Sequence, residues 1–122
     1  WLQLGGHADG DADVAAVALR EAREESGLAE LRFAWAPDGP VPIDLDVHRI
    51  PARGSEPAHH HHDVRFVLVA APGQTILESD ESAALEWFEM DALEDVADDD
   101  SVLRLGRKVR RLLDASALQL FT

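Results

Sequence analysis

Cysteine is absent from the chain, which excludes a disulfide framework and a thiolate zinc site. Long apolar runs are absent too. No stretch approaches the roughly 20 residues that a membrane helix needs, so no membrane partner is expected. The opening residues lack the basic, then apolar, then small-residue succession of a signal peptide, and together with the missing cysteines this makes the cytoplasm the expected location. Basic side chains are scarce, 11 Lys and Arg against 24 Asp and Glu. The net charge of -13 therefore argues against nucleic acid as a bulk partner.

What is present is a globular composition, 46% hydrophobic and 29% charged, in 122 residues. That length buries one core and leaves little room for a second, so a single domain spanning residues 1–122 is expected. The acidic excess suits a carboxylate site for divalent cations, although a solvated acidic surface is the commoner explanation for such a charge. The chain opens on Trp1 without a methionine and reads as the continuation of something longer.

Residues 13–26, DVAAVALREAREES, are rich in strong helix formers. Asp13 or Asp11 is placed to cap the start, and Gly27 to stop the end. Val14, Val17, Ala18 and Ala22 form an apolar stripe, while Glu21, Glu24 and Glu25 cluster elsewhere around the axis. Strands are predicted at 31–36, 43–50 and 64–71, with a fourth near 85–88. Residues 51–63, PARGSEPAHHHHD, are assigned to a loop, and DALEDV after Met90 to a short helix. A longer helix is expected over 101–115, with Val102, Leu105, Val109, Leu112 and Leu113 inward and Arg104, Arg107, Lys108 and Arg111 mostly outward as a solvated face. Helix, strands and then helices without regular βαβ alternation predict an α+β domain with a mixed sheet covered by helices.

The chemistry is concentrated in GGHADGDADVAAVALREAREESGL, residues 5–28. At about 100° per residue, Glu24 lies about 60° and Glu25 about 40° from Glu21 on opposite sides, so the three carboxylates share an arc of roughly 100°. Like charges so spaced cost a helix roughly 0.2–0.5 kcal/mol per pair, which a hard divalent cation would reverse. Magnesium fits, since it is typically shared between one or two carboxylates and substrate phosphates. The upstream glycine turn can bring backbone groups close to the same ion and phosphates. Arg20 can pair with Glu24 one turn on and orient it.

These residues resemble the Nudix hydrolase signature. Gly6, Arg20, Glu21, Ala22, Glu24, Glu25, Gly27 and Leu28 match it at fixed spacing over the first quarter of the chain. One position departs: Ala12, flanked by Asp11 and Asp13, stands where the family has its first glutamate. EWFEMDAL, residues 86–93, also looks like the family's late strand and short helix. The resemblance implies an α/β/α sandwich. The family's strands ahead of this signature would lie before Trp1, so it implies N-terminal truncation as well.

It also implies magnesium, with manganese as a substitute, held by Glu21, Glu24, Glu25 and the Gly6 carbonyl. The implied reaction is attack of a metal-activated water on a diphosphate linkage in a nucleoside diphosphate derivative. Arg20 belongs to the implied catalytic set. The base is one of the three glutamates, or Glu78 or Glu81 from a later loop. The partner would be a small-molecule nucleotide, and a homodimer is the default assembly.

Two other readings stay open. An E-E pair on an alanine-rich helix is by itself usually a solvated face. A Nudix-type fold can also bind a nucleotide as a sensor without hydrolysing it, a reading that Ala12 keeps in view. If the histidine run 59–62 continues as strand, His60 and His62 face one way and His61, Asp63 and Arg65 the other. His60, His62 and Arg65 are accordingly candidates for substrate contacts, as is His7 beside the glycine turn. The plainer reading makes the histidines exposed, with Asp63 and Arg65 paired locally. Trp1 is placed at the pocket border, and Trp35 and Trp87 in the core or on strands.

Overall fold

A computed structural model of the chain describes residues 8, 10, 12–34, 38–76, 85 and 87–115. Helix α1 runs Val14–Ser26. The Asp13 carboxylate accepts from the Ala16 N–H at 3.0 Å, which satisfies one of the amides that a helix start leaves open. At the other end Gly27 takes a left-handed φ of 72° and donates to the Arg23 carbonyl. Ser26, fully buried, donates to the Ala22 carbonyl at 2.5 Å and accepts from the Leu28 N–H at 3.1 Å, tying the helix end to the chain that leaves it.

Strand β1, Leu31–Phe33, pairs antiparallel with β4, Leu68–Ala70. Gln74 braces this pair, donating to the carbonyls of Glu30 and Ala71 and accepting from the Glu30 N–H. Phe33 meets Phe66 edge to face, with ring centroids 5.4 Å apart. Val17 and Ala22 of α1, with Leu28 and Ala34, are the buried apolar residues beside this pair, and Ala97 is buried ahead of the last helix.

Strand β2, Asp44–Ile50, pairs antiparallel with β3, His59–Arg65, along the full length of both. Their connection is closed by reciprocal backbone bonds between Arg53 and Glu56 and turns at Gly54, whose φ is 57°. A 3₁₀ turn, Met90–Ala92, leads into α2, Leu93–Val96. Helix α3, Asp100–Asp114, follows. The Asp99 carboxylate caps α3, accepting from the Ser101 amide and hydroxyl and the Val102 amide; the Ser101 hydroxyl foremost, then its amide, lowers the Asp99 pKa. No helix among the described residues is long and apolar enough to cross a membrane.

Helices with two small antiparallel ladders make this an α+β fold. Several elements differ from the sequence expectation. The segment assigned to a loop at 51–63 is strand from His59 onward, because β2 offers a complete ladder of backbone partners and so overrides the weak strand preference of the histidines. The strand expected over 64–71 is interrupted at Phe66 and Val67, where the chain leaves β2 and joins β1. The strand expected near 85–88 does not form at the described residues 85, 87 and 88. Trp87 is 63% exposed rather than in the core, and Leu113 is exposed rather than inward. Trp1 and Trp35 lie outside the described residues.

Candidate functional site

Alternation along β2 and β3 sorts their side chains onto two faces. One carries Leu45, Val47 and Arg49 opposite Val64, His62 and His60. Leu45 and Val47 are exposed there, at 57% and 47%. The other carries Asp44, Asp46 and His48 opposite Arg65, Asp63 and His61. This second face is polar, and α3 packs on its start.

At that junction the Asp44 side chain is 1% exposed and Arg65 is 6% exposed. Arg65 donates to Asp44 at 3.3 Å, to the Ser101 carbonyl at 2.8 Å and to the Ser101 hydroxyl at 2.7 Å. Arg104 reaches the same carboxylate at 3.1 and 2.8 Å and Asp46 at 3.0 Å, and Lys108 also donates to Asp44. Three cations meet on one buried carboxylate, and two of them set its titration. The hydrogen bond from Arg104, then that from Lys108, outweighs the effect of burial and holds Asp44 well below the usual carboxylate range. Arg104 is shifted upward in return, by Asp44 first and Asp46 second. Two expectations are corrected here. Arg104 and Lys108 are turned inward onto the hairpin, because residues 101, 104 and 108 recur every three to four positions and face its acidic stripe. Arg65 pairs with Asp44, its direct cross-strand partner, and not with Asp63.

Further along the same face, His48 Nδ1 lies 3.4 Å from Asp46 and 3.7 Å from Asp63. One ligand atom from each of these three residues falls within 4.8 Å of the others, the one such cluster of metal-binding types among the described residues. The His61 ring stands 5.4 Å from that of His48. Sequence reasoning passed over Asp46 and His48. The signal was present as D-x-D-x-H in 44–48 and H-x-D-x-R in 61–65, but only the strand register brings the two together.

On α1, Glu24 is exposed while Glu21 and Glu25 are half-buried. Arg20 approaches Glu21 at 3.6 Å rather than the expected Glu24; the adjacent side chain is the one its guanidinium reaches. The three carboxylates lie in the second half of the helix. His60 and His62 point away from α3 on the exposed face, and Arg65 is buried on the other, so these proposed substrate contacts are not brought together. Gly6, His7, Glu78 and Glu81 lie outside the described residues. A cleft between the start of β2 and the end of α3 is lined by Pro42, Ile43, Lys108, Arg111 and Leu112. It has no carboxylate and does not coincide with the α1 face.

The class these elements define is an α+β domain with an acidic helix closed by a left-handed glycine. The model of the NUDIX domain matches residues 1–106, and the chain belongs to the Nudix family, whose type of activity is pyrophosphate hydrolysis. No curated protein matches the chain.

Proposed function

We propose that the chain is a single Nudix domain that hydrolyses a diphosphate linkage in a small nucleotide derivative with magnesium. The observation that carries this reading is the carboxylate set of Glu21, Glu24 and Glu25 on α1, within a family match over residues 1–106. The donor set fits the ion. All three offer hard oxygens, and all three stand in the last two turns of a helix that ends at Ser26, where the macrodipole is negative and disfavours anions. A cation there relieves both the dipole and the mutual repulsion.

When bound, magnesium neutralises charge on diphosphate oxygens and makes water more acidic. Glu21, Glu24 and Glu25 would hold it, together with the Gly6 carbonyl. Arg20, beside Glu21 at 3.6 Å, keeps that carboxylate oriented. One of the three glutamates, or Glu78 or Glu81, takes the proton from the attacking water. Arg65 is committed to Asp44 and drops out of the substrate-binding set, which leaves His7, His60, His62, Glu78 and Glu81 as its remaining members.

The test is release of phosphate or nucleoside monophosphate from ADP-ribose, nucleoside triphosphates, dinucleotide polyphosphates and sugar nucleotides, with and without magnesium. The expected outcome is metal-dependent turnover of one class, falling at least roughly 100-fold in both Glu24→Gln and Glu25→Gln, the scale of losing one electrostatic group from an active site. A second reading, a sensor that binds without hydrolysis, is favoured by Ala12 in place of the family's first glutamate. It gains if no compound turns over and one raises the melting temperature.

A further inference from the structure

We propose that the polar face of the β2–β3 hairpin holds a second divalent cation, on Asp46, His48 and Asp63, suited to zinc and separate from the carboxylates of α1. The strand register carries the argument first. Asp46 stands directly opposite Asp63, and His48 directly opposite His61. Like charges directly opposite destabilise a ladder. Asp46 is compensated by Arg104 at 3.0 Å and Arg65 at 3.7 Å, whereas Asp63 has only His48 beside it among the described residues.

The spacing carries the second step. At 3.4 and 3.7 Å, His48 Nδ1 is too far from either carboxylate for a well-formed hydrogen bond. Ligands held at zinc–nitrogen and zinc–oxygen distances in a tetrahedron are about 3.3 Å apart, so two edges of the coordination polyhedron already stand close to their final length. The tautomer with its proton on Nε2 turns the Nδ1 lone pair into the gap.

Donor chemistry chooses the ion. An imidazole with carboxylates suits a borderline cation such as zinc, whereas the all-oxygen face of α1 suits a hard one. The guanidinium of Arg104 donates to Asp46 Oδ1, and Oδ2 stands between His48 at 3.4 Å and Arg65 at 3.7 Å, so both arginines are the kind of outer partner that ligating carboxylates use. His48 and Asp63, 45% and 35% exposed, leave the gap open to entry.

Equilibrium dialysis of the full chain against zinc, with cobalt absorption as a report on coordination geometry, tests this. We expect one zinc per chain and a four-coordinate cobalt spectrum. His48→Ala and Asp63→Asn should each weaken binding at least 10-fold with unchanged far-ultraviolet circular dichroism, while Glu24→Gln and the double variant His60→Ala/His62→Ala retain it. No binding, binding unaltered by His48→Ala and Asp63→Asn, or binding lost with His60 and His62 would each overturn the proposal; the last would assign the zinc to the histidine run itself.

Discussion

Asp44 shows what a single residue decides in this chain. Its carboxylate is buried, and Arg65, Arg104 and Lys108 converge on it from β3 and α3. Replacing Asp44 by Asn removes the charge and leaves Arg65 in the interior with a weaker acceptor. Breaking a buried pair from one side costs about 3 kcal/mol or more, so Asp44→Asn should lower Tm by on the order of 10 °C in a thermal melt. The same carboxylate sets an acid limit. Its folded pKa lies below the unfolded value of about 4, so its contribution is complete above that pH and is lost as pH falls toward the folded value. The native chain should therefore lose stability below about pH 4 more steeply than Asp44→Asn does, and parallel acid titrations would refute this. The sequence made the glutamates of α1 legible because helical spacing is local. It hid Asp44 because its partners are 21, 60 and 64 residues away.

At the scale of elements, local signals were read well where the backbone itself supplies them. Asp13 and Gly27 bound α1 as their cap chemistry requires, and the short helix after Met90 and the long one after Asp99 begin within a residue or so of their expected starts. The histidine run is not legible as strand because a strand is specified by its partner, and nothing in HHHHD announces that β2 will pair with it. Packing between helices was equally hidden, and Gly106 marks it. A Cβ on Gly106 in α3 would come within 2.2 Å of Leu93 Cδ2 in α2. Alanine in a helix interior is otherwise worth about 1 kcal/mol over glycine. We expect Gly106→Ala to lose that gain by displacing Leu93, and to recover it when combined with Leu93→Ala. Denaturant unfolding of the four chains in a double-mutant cycle measures the coupling, and strict additivity would show that the two helices do not meet there.

For the whole molecule, the charge of -13 and the family match act on the same observable. A chain so acidic is destabilised by self-repulsion, so added sodium chloride should raise its melting temperature by screening alone. The Asp44 junction is shielded by burial and opposes this only weakly. Magnesium at matched ionic strength screens as well, but an ion that binds the folded chain adds RT ln(1 + [L]/Kd), about 2.7 kcal/mol at a hundredfold excess over Kd. We therefore expect magnesium to stabilise the native chain beyond sodium by several degrees, and that excess to vanish in Glu24→Gln and Glu25→Gln. Those variants should keep the whole of the sodium effect, since one charge in thirteen changes the general field little. If magnesium and sodium remain indistinguishable in the native chain, the α1 carboxylates are a solvated face and the proposed hydrolase loses its metal. If the excess survives both substitutions, the ion binds elsewhere and Glu24 and Glu25 are not its ligands.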